Sequence, residues 1–186
     1  MKLFIKFLTI IIITTSYSYS EQTYNNSGIY YKIGVFDHKH ETDMLAINRK
    51  KITDNTINVN FLGDLTQVYD LMVSYDSDES FTLDNESNLK NRDEYAFYLS
   101  TGFQKKFNAS NGFFIVPSFS VGLYSEFDQG KDMGSPLEFK SEIEFNFAIS
   151  SNLIFGVTLN HISNADIGSK NPGSDSIFVG FKSNIN

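Results

Sequence analysis

The 186-residue chain is long enough for one domain with its own core. Its 22 acidic residues outnumber 15 basic ones, so it has no electrostatic footprint for nucleic acid, and without cysteine it has no disulfide or thiolate chemistry. Aromatic residues make up 15%, from 18 Phe and 10 Tyr, while Pro occurs only three times; that balance favours strands over helices.

The first twenty residues read as an export signal. Lys2 and Lys6 give a positive start, Leu8 to Ile13 an apolar stretch, and Ser18 and Ser20 small residues before a cleavage expected ahead of Glu21. The stretch is too short for a membrane-spanning helix, which needs roughly 20 apolar residues. Two domain assignments follow: 1–20 as signal peptide and 21–186 as one β-domain. The mature part then carries 13 Lys and Arg against 22 Asp and Glu, a net charge of −9.

Eight strands are expected, over 28–37, 42–50, 64–75, 93–105, 113–125, 135–149, 152–163 and 175–185. The third is the least sharply bounded, because 51–63 also alternates in part. Asp37-His38-Lys39-His40 contains two histidines in a short loop, read as solvated rather than as a metal site. The acidic segment 76–92 lacks the glycine and ligand spacing of a calcium loop and is read the same way.

The later strands alternate with a period of two. From Leu137 to Ile149, one parity reads Leu137, Phe139, Ser141, Ile143, Phe145, Phe147, Ile149. The other carries Glu138, Lys140, Glu142 and Glu144. Phe113, Ile115, Pro117, Phe119, Val121 and Leu123 form a similar face, as do Tyr95, Phe97, Leu99, Thr101 and Phe103. A soluble sandwich could alternate too, but its strands are usually about 5–6 residues long. These segments suit the roughly 9–11 residues needed to cross a bilayer at a tilt. The expected fold is an all-β, eight-stranded antiparallel outer-membrane barrel. Its charged parity then faces the lumen, since Lys140 in hydrocarbon would cost roughly 2–4 kcal/mol at the midplane. Short turns at 106–112 and 150–151 mark one end; longer polar loops at 76–92, 126–134 and 164–174 mark the other, expected to face the cell exterior.

Chemistry concentrates in 159–176. The apolar parity Leu153, Phe155, Val157, Leu159 continues into His161 and Ser163. Both are therefore expected on the lipid-facing wall, about 6.6 Å apart along the strand. On the last strand, Asp175 shares parity with Ile177, Val179 and Phe181. If Ser163 pairs across from Asp175, the carboxylate lies diagonal to His161 and within reach. By spacing alone a serine–histidine–acid constellation is within reach, but a polar strand end entering a turn rich in Asn, Gly, Ser and Pro is the more ordinary reading.

The same stretch resembles the outer-membrane lipid A 3-O-deacylases of the PagL type. The resemblance rests on His161, Ser163, Asn164, Ala165, Gly168 and Asn171-Pro172-Gly173. It continues in Pro117-Ser118-Phe119, Gly122-Leu123-Tyr124 and Gly134-Ser135-Pro136-Leu137-Glu138-Phe139, covering about 113–181. It implies a cofactor-free serine esterase of the Gram-negative outer membrane, acting on lipid A or lipopolysaccharide, with no metal and no nucleic-acid partner. Ser163 would be the nucleophile and His161 the base. Asp175 stands where the best-known members have a glutamate orienting the histidine. Asn164 matches the residue that helps hold the oxyanion, while Gly168 and Asn171 would shape the loop or donate to it. The alternatives are a non-catalytic barrel, adhesive or structural, and a phospholipase-like esterase acting on another lipid. Oligomeric state is not legible.

Overall fold

The computed structural model describes residues 27–36, 44–78, 92–110, 112–127 and 132–183. The expected export signal and the Asp37–His40 loop lie outside them, as does most of 76–92. The described residues form nine strand segments: β1 (Gly28–Phe36), β2 (Met44–Val59), β3 (Gly63–Asp78), β4 (Arg92–Gln104), β5 (Phe107–Ser110), β6 (Phe113–Phe127), β7 (Leu137–Ala148), β8 (Leu153–Ser163) and β9 (Ser174–Ser183).

Eight of these close a ring. Each segment pairs antiparallel with its sequence neighbours, β9 returns to β1, and β4 skips β5 to pair with β6. The short β5 prolongs the β4 stave past a break at Lys105–Lys106 and pairs only with β6. Four of the seven residues of the turn expected at 106–112 are therefore strand. The expected second strand also ends too early. β2 runs on to Val59 through a bulge between Ile52 and Thr56, where three residues oppose Gln67 alone. Its alternation fails at Asp54–Asn55 because the extra residues are unpaired, which is why 51–63 read ambiguously. The hairpin closes when the Leu62 N–H donates to the Val59 carbonyl, 2.9 Å away.

The pairing register fixes the barrel's shape. Starting from Tyr31, directly opposed residues lead one way through Arg49, Leu71, Leu99 and Leu123 to Leu137. The other way they lead through Phe181 and Phe155 to Phe147. Both arrivals are on β7, ten residues apart, so the shear is ten. Ten residues of about 3.3 Å against eight strands about 4.8 Å apart give a strand tilt of about 40°. That is the tilt of membrane barrels.

Closure of the eight staves leaves only the short β5 with an unpaired side among the described residues, so elsewhere the two faces of each strand remain to be satisfied. The outward parity is apolar and exposed: Ile33, Leu45, Ile47, Leu71, Phe97, Leu99, Phe119, Leu123, Leu159 and Val179 among others. A wall of this kind is stable only against hydrocarbon. The inward parity fills the lumen. Glu142 accepts from the ammonium groups of Lys32 (3.0 Å), Lys50 (2.8 Å) and Lys140 (3.4 Å). Glu144 takes Lys32 and Lys50, and Asp70 takes Lys140 at 2.6 Å. The charged parity of β7 thus faces inward as expected, each cation meeting carboxylates from other staves. An apolar plug of Phe36, Met44, Met72, Tyr98, Tyr124, Met133, Ile162 and Phe178 closes the lumen toward the long loops.

Candidate active site

At the long-loop end of β8, His161 and Ser163 both lie on the outward parity. Leu159 precedes them on the same face, while Asn160 and Ile162 point into the barrel. Asp175 begins the outward parity of β9. The placement of all three on the lipid-facing wall follows the sequence expectation. The register between β8 and β9 does not. His161 itself lies directly opposite Asp175, two residues away from the assumed pairing of Ser163 with Asp175.

The correction improves the geometry. Directly opposed residues bring side chains closer than diagonal ones, and the Nδ1 of His161 is 3.0 Å from an Asp175 carboxylate oxygen. The shorter reach of aspartate is sufficient when the two face each other across one ladder rung. With Nδ1 donating to the carboxylate, Nε2 is left as the basic nitrogen. The His161 side chain is half exposed and that of Asp175 one-third exposed. On the other side of β8, Phe139 lies opposite Ser163 and Ser141 opposite His161. Ser141 is a second hydroxyl beside the imidazole that the sequence reading passed over as one member of a greasy face. Phe139 stacks on Phe119, ring centroids 6.0 Å apart.

The loop after Ser163 is tightly built. Ala165 and Asp166 both have positive φ, 52° and 62°, and the Ile167 N–H donates to the Asn164 carbonyl at 3.2 Å. Together these make a type I′ turn, which usually takes Asn, Asp or Gly at its centre. Alanine there costs about 1–2 kcal/mol, so surrounding contacts must hold it. Asn171 spans the turn: its Oδ1 accepts from the Asn164 N–H (3.2 Å), and its Nδ2 donates to Asp166 (3.0 Å).

Asn164, expected to hold the oxyanion, points inward and is fully buried. Its amide donates to the carbonyls of Met133 and Lys170, each at 2.7 Å. Oxyanion binding by that side chain would have to break these bonds. The main-chain N–H groups of Ala165 and Asp166 make no hydrogen bond among the described residues.

Segment 132–136 is latched to this loop. The Ser169 N–H donates to the Gly134 carbonyl at 3.2 Å, and Lys170 pairs with Asp132 at 2.8 Å. Lys170 and the Gly134 N–H together hold the Asp132 carboxyl below its usual range. Gly168 sits where a Cβ would come within 2.5 Å of the Gly134 carbonyl and 2.8 Å of the Asn164 amide nitrogen. It shapes the loop by permitting that approach.

Gly173 performs a second such service. Its φ is +64°, and a Cβ would lie 2.9 Å from Cε1 of His161. Gly173→Ala is therefore expected to displace the imidazole, lowering turnover by about tenfold or more while the barrel stays folded. Paired measurements of turnover and of heat-resistant electrophoretic mobility check this. Equal turnover in the variant would refute the packing role.

Comparison with known proteins identifies the family and the fold. The family model described as lipid A 3-O-deacylase (PagL) matches residues 55–184. Among solved structures, the outer membrane enzyme PagL aligns at 18% identity and TM-score 0.54, covering 84% of this chain and 99% of that one. Neisserial surface protein A aligns at 10% identity and TM-score 0.54, covering 87% and 98%. The Yersinia pestis outer membrane protein Ail gives 13% identity and TM-score 0.45 over 84% and 99%. No curated protein sequence matches the chain.

Proposed function

Since the chain belongs to the lipid A 3-O-deacylase (PagL) family, we propose that it is an outer-membrane serine esterase that removes the 3-O-linked acyl chain of lipid A. The observation that carries this reading is the His161–Asp175 contact on the outward wall, with Ser163 one step further along the same face. A catalytic pair on that wall faces lipid rather than water. Its natural substrates are esters that sit at the depth of headgroups and first acyl carbonyls. The long-loop end then faces the outer leaflet.

In the proposed reaction, Ser163 Oγ attacks the ester carbonyl carbon while Nε2 of His161 takes its proton. Asp175 holds the imidazole by Nδ1 and stabilises the imidazolium. The developing oxyanion is met by the open main-chain N–H groups of Ala165 and Asp166, each donor being worth roughly 10²–10³ in rate. The C–O bond to the sugar then breaks, and the departing oxygen takes the proton from His161. Water, deprotonated by His161, attacks the acyl-serine. The fatty acid leaves and Ser163 regains its proton. Asn164, Asn171 and Gly168 act by fixing the turn that presents those donors.

The test uses the full chain in bilayers containing lipid A, with mass spectrometry of the products. Loss of one acyl chain from lipid A, absent with His161→Ala, is expected. Cleavage of phospholipid with lipid A left intact would assign the site to a different ester. No cleavage of either would leave a non-catalytic barrel.

A further inference from the structure

We propose that the outward wall around Arg49 and Lys51 is a binding site for the phosphate of an anionic phospholipid, in the leaflet that meets the short-turn end. The proposal rests on the membrane barrel alone and is independent of the esterase reading.

The apolar belt is uneven. With the strands tilted about 40°, one step round the barrel along opposed residues changes height by about 3 Å. From Tyr31 one step rises to Arg49, whereas four steps the other way descend through Phe181, Phe155 and Phe147 to Phe113. The apolar wall therefore reaches about 15 Å lower at Phe113 than at Arg49. Below Arg49 the outward surface of β2 and β3 carries a polar band of Lys51, then Thr53, Asn55 and Gln67, which bond to one another, before Ile57, Phe61 and Leu62 expose apolar side chains again near the hairpin tip. A headgroup at the height of this polar band meets the wall at Arg49 and Lys51.

Arg49 and Lys51 are both exposed on this wall, and neither side chain has an ion-pair or hydrogen-bond partner among the described residues. The acids of the same hairpin, Asp54 and Asp64, make no ion pair with either cation, and Asp64 accepts from Asn58 at 2.7 Å. Tyr31 lies directly opposite Arg49, and Tyr69 opposite Lys51. Both rings are exposed on the same face. Gln67 donates to the Tyr69 hydroxyl at 3.1 Å, leaving that hydroxyl's own hydrogen to point outward. A guanidinium fork, an ammonium and an oriented phenol are the donors a phosphodiester takes. Two positive charges without an ion-pair partner among the described residues favour a lipid with net negative charge over a zwitterionic one.

The experiment places the full chain in nanodiscs of mixed phosphatidylglycerol and phosphatidylcholine, and reads lipid retained on the protein by native mass spectrometry. Wild type is expected to enrich phosphatidylglycerol, with about fivefold loss for each cation removed in Arg49→Gln and Lys51→Gln. Arg49→Lys with Lys51→Arg keeps both charges and is expected to keep most of the preference. The proposal is overturned if wild type shows no preference, if the glutamine variants retain it, or if they change oligomeric state instead.

Discussion

Ser163→Ala is expected to lower lipid A deacylation by at least about 10³-fold, with folding and membrane insertion unchanged. Ser163 is partly buried on the lipid-facing wall, and no described residue depends on its hydroxyl for a side-chain hydrogen bond. Its removal therefore deletes chemistry without opening a cavity. Ser141 supplies an internal control. It lies across one rung from His161 on β7, so the imidazole has two hydroxyls within its neighbourhood. Ser141→Ala is expected to change the rate only a few-fold, because Ser163 alone adjoins the turn whose N–H groups stay open. A fluorophosphonate probe followed by peptide mapping reads the nucleophile directly: label on Ser163, lost in Ser163→Ala and kept in Ser141→Ala. Label on Ser141 would move the nucleophile to β7 and discard the assignment made here.

Glu142→Leu is expected to destabilise the barrel by about 3–5 kcal/mol, the cost of removing one partner from a buried ionic network. Glu142 is where three staves meet, since Lys32 comes from β1, Lys50 from β2 and Lys140 from its own strand. Without it, three buried ammonium groups share Glu144 and Asp70, both already engaged. The urea or guanidinium midpoint of the refolded protein in lipid vesicles measures the loss. Folded protein below that midpoint should keep its turnover, because the network is inside the barrel and the proposed site outside. An unchanged midpoint would mean that the lumen is hydrated enough to screen the lysines, contrary to the burial described above.

Much of this architecture is local and so was legible in the sequence. A strand alternates its side chains with a period of two, and Leu137 to Ala148 or Leu153 to Ser163 each declare which residues share a face without reference to any other segment. That is how His161, Ser163 and Asp175 could be set on the lipid side and Glu142 in the lumen from one-dimensional order. The boundaries that failed, at Val59 and at Phe107, failed where a bulge or a break interrupts the period while pairing continues.

Register was decided only by the closed barrel. Parity is unchanged when two strands slide by two residues, so no pattern within β8 or β9 could tell whether Asp175 faces Ser163 or His161. That choice depends on the conformation of 164–173 and on a shear that all eight staves must satisfy together. The inward turn of the Asn164 amide onto Met133 and Lys170 was hidden for the same reason: Met133 lies thirty-one residues away and comes near only through the fold. The sequence by itself determined which wall each side chain occupies. The tertiary structure determined which of them touch, because contact across strands is a property of closure.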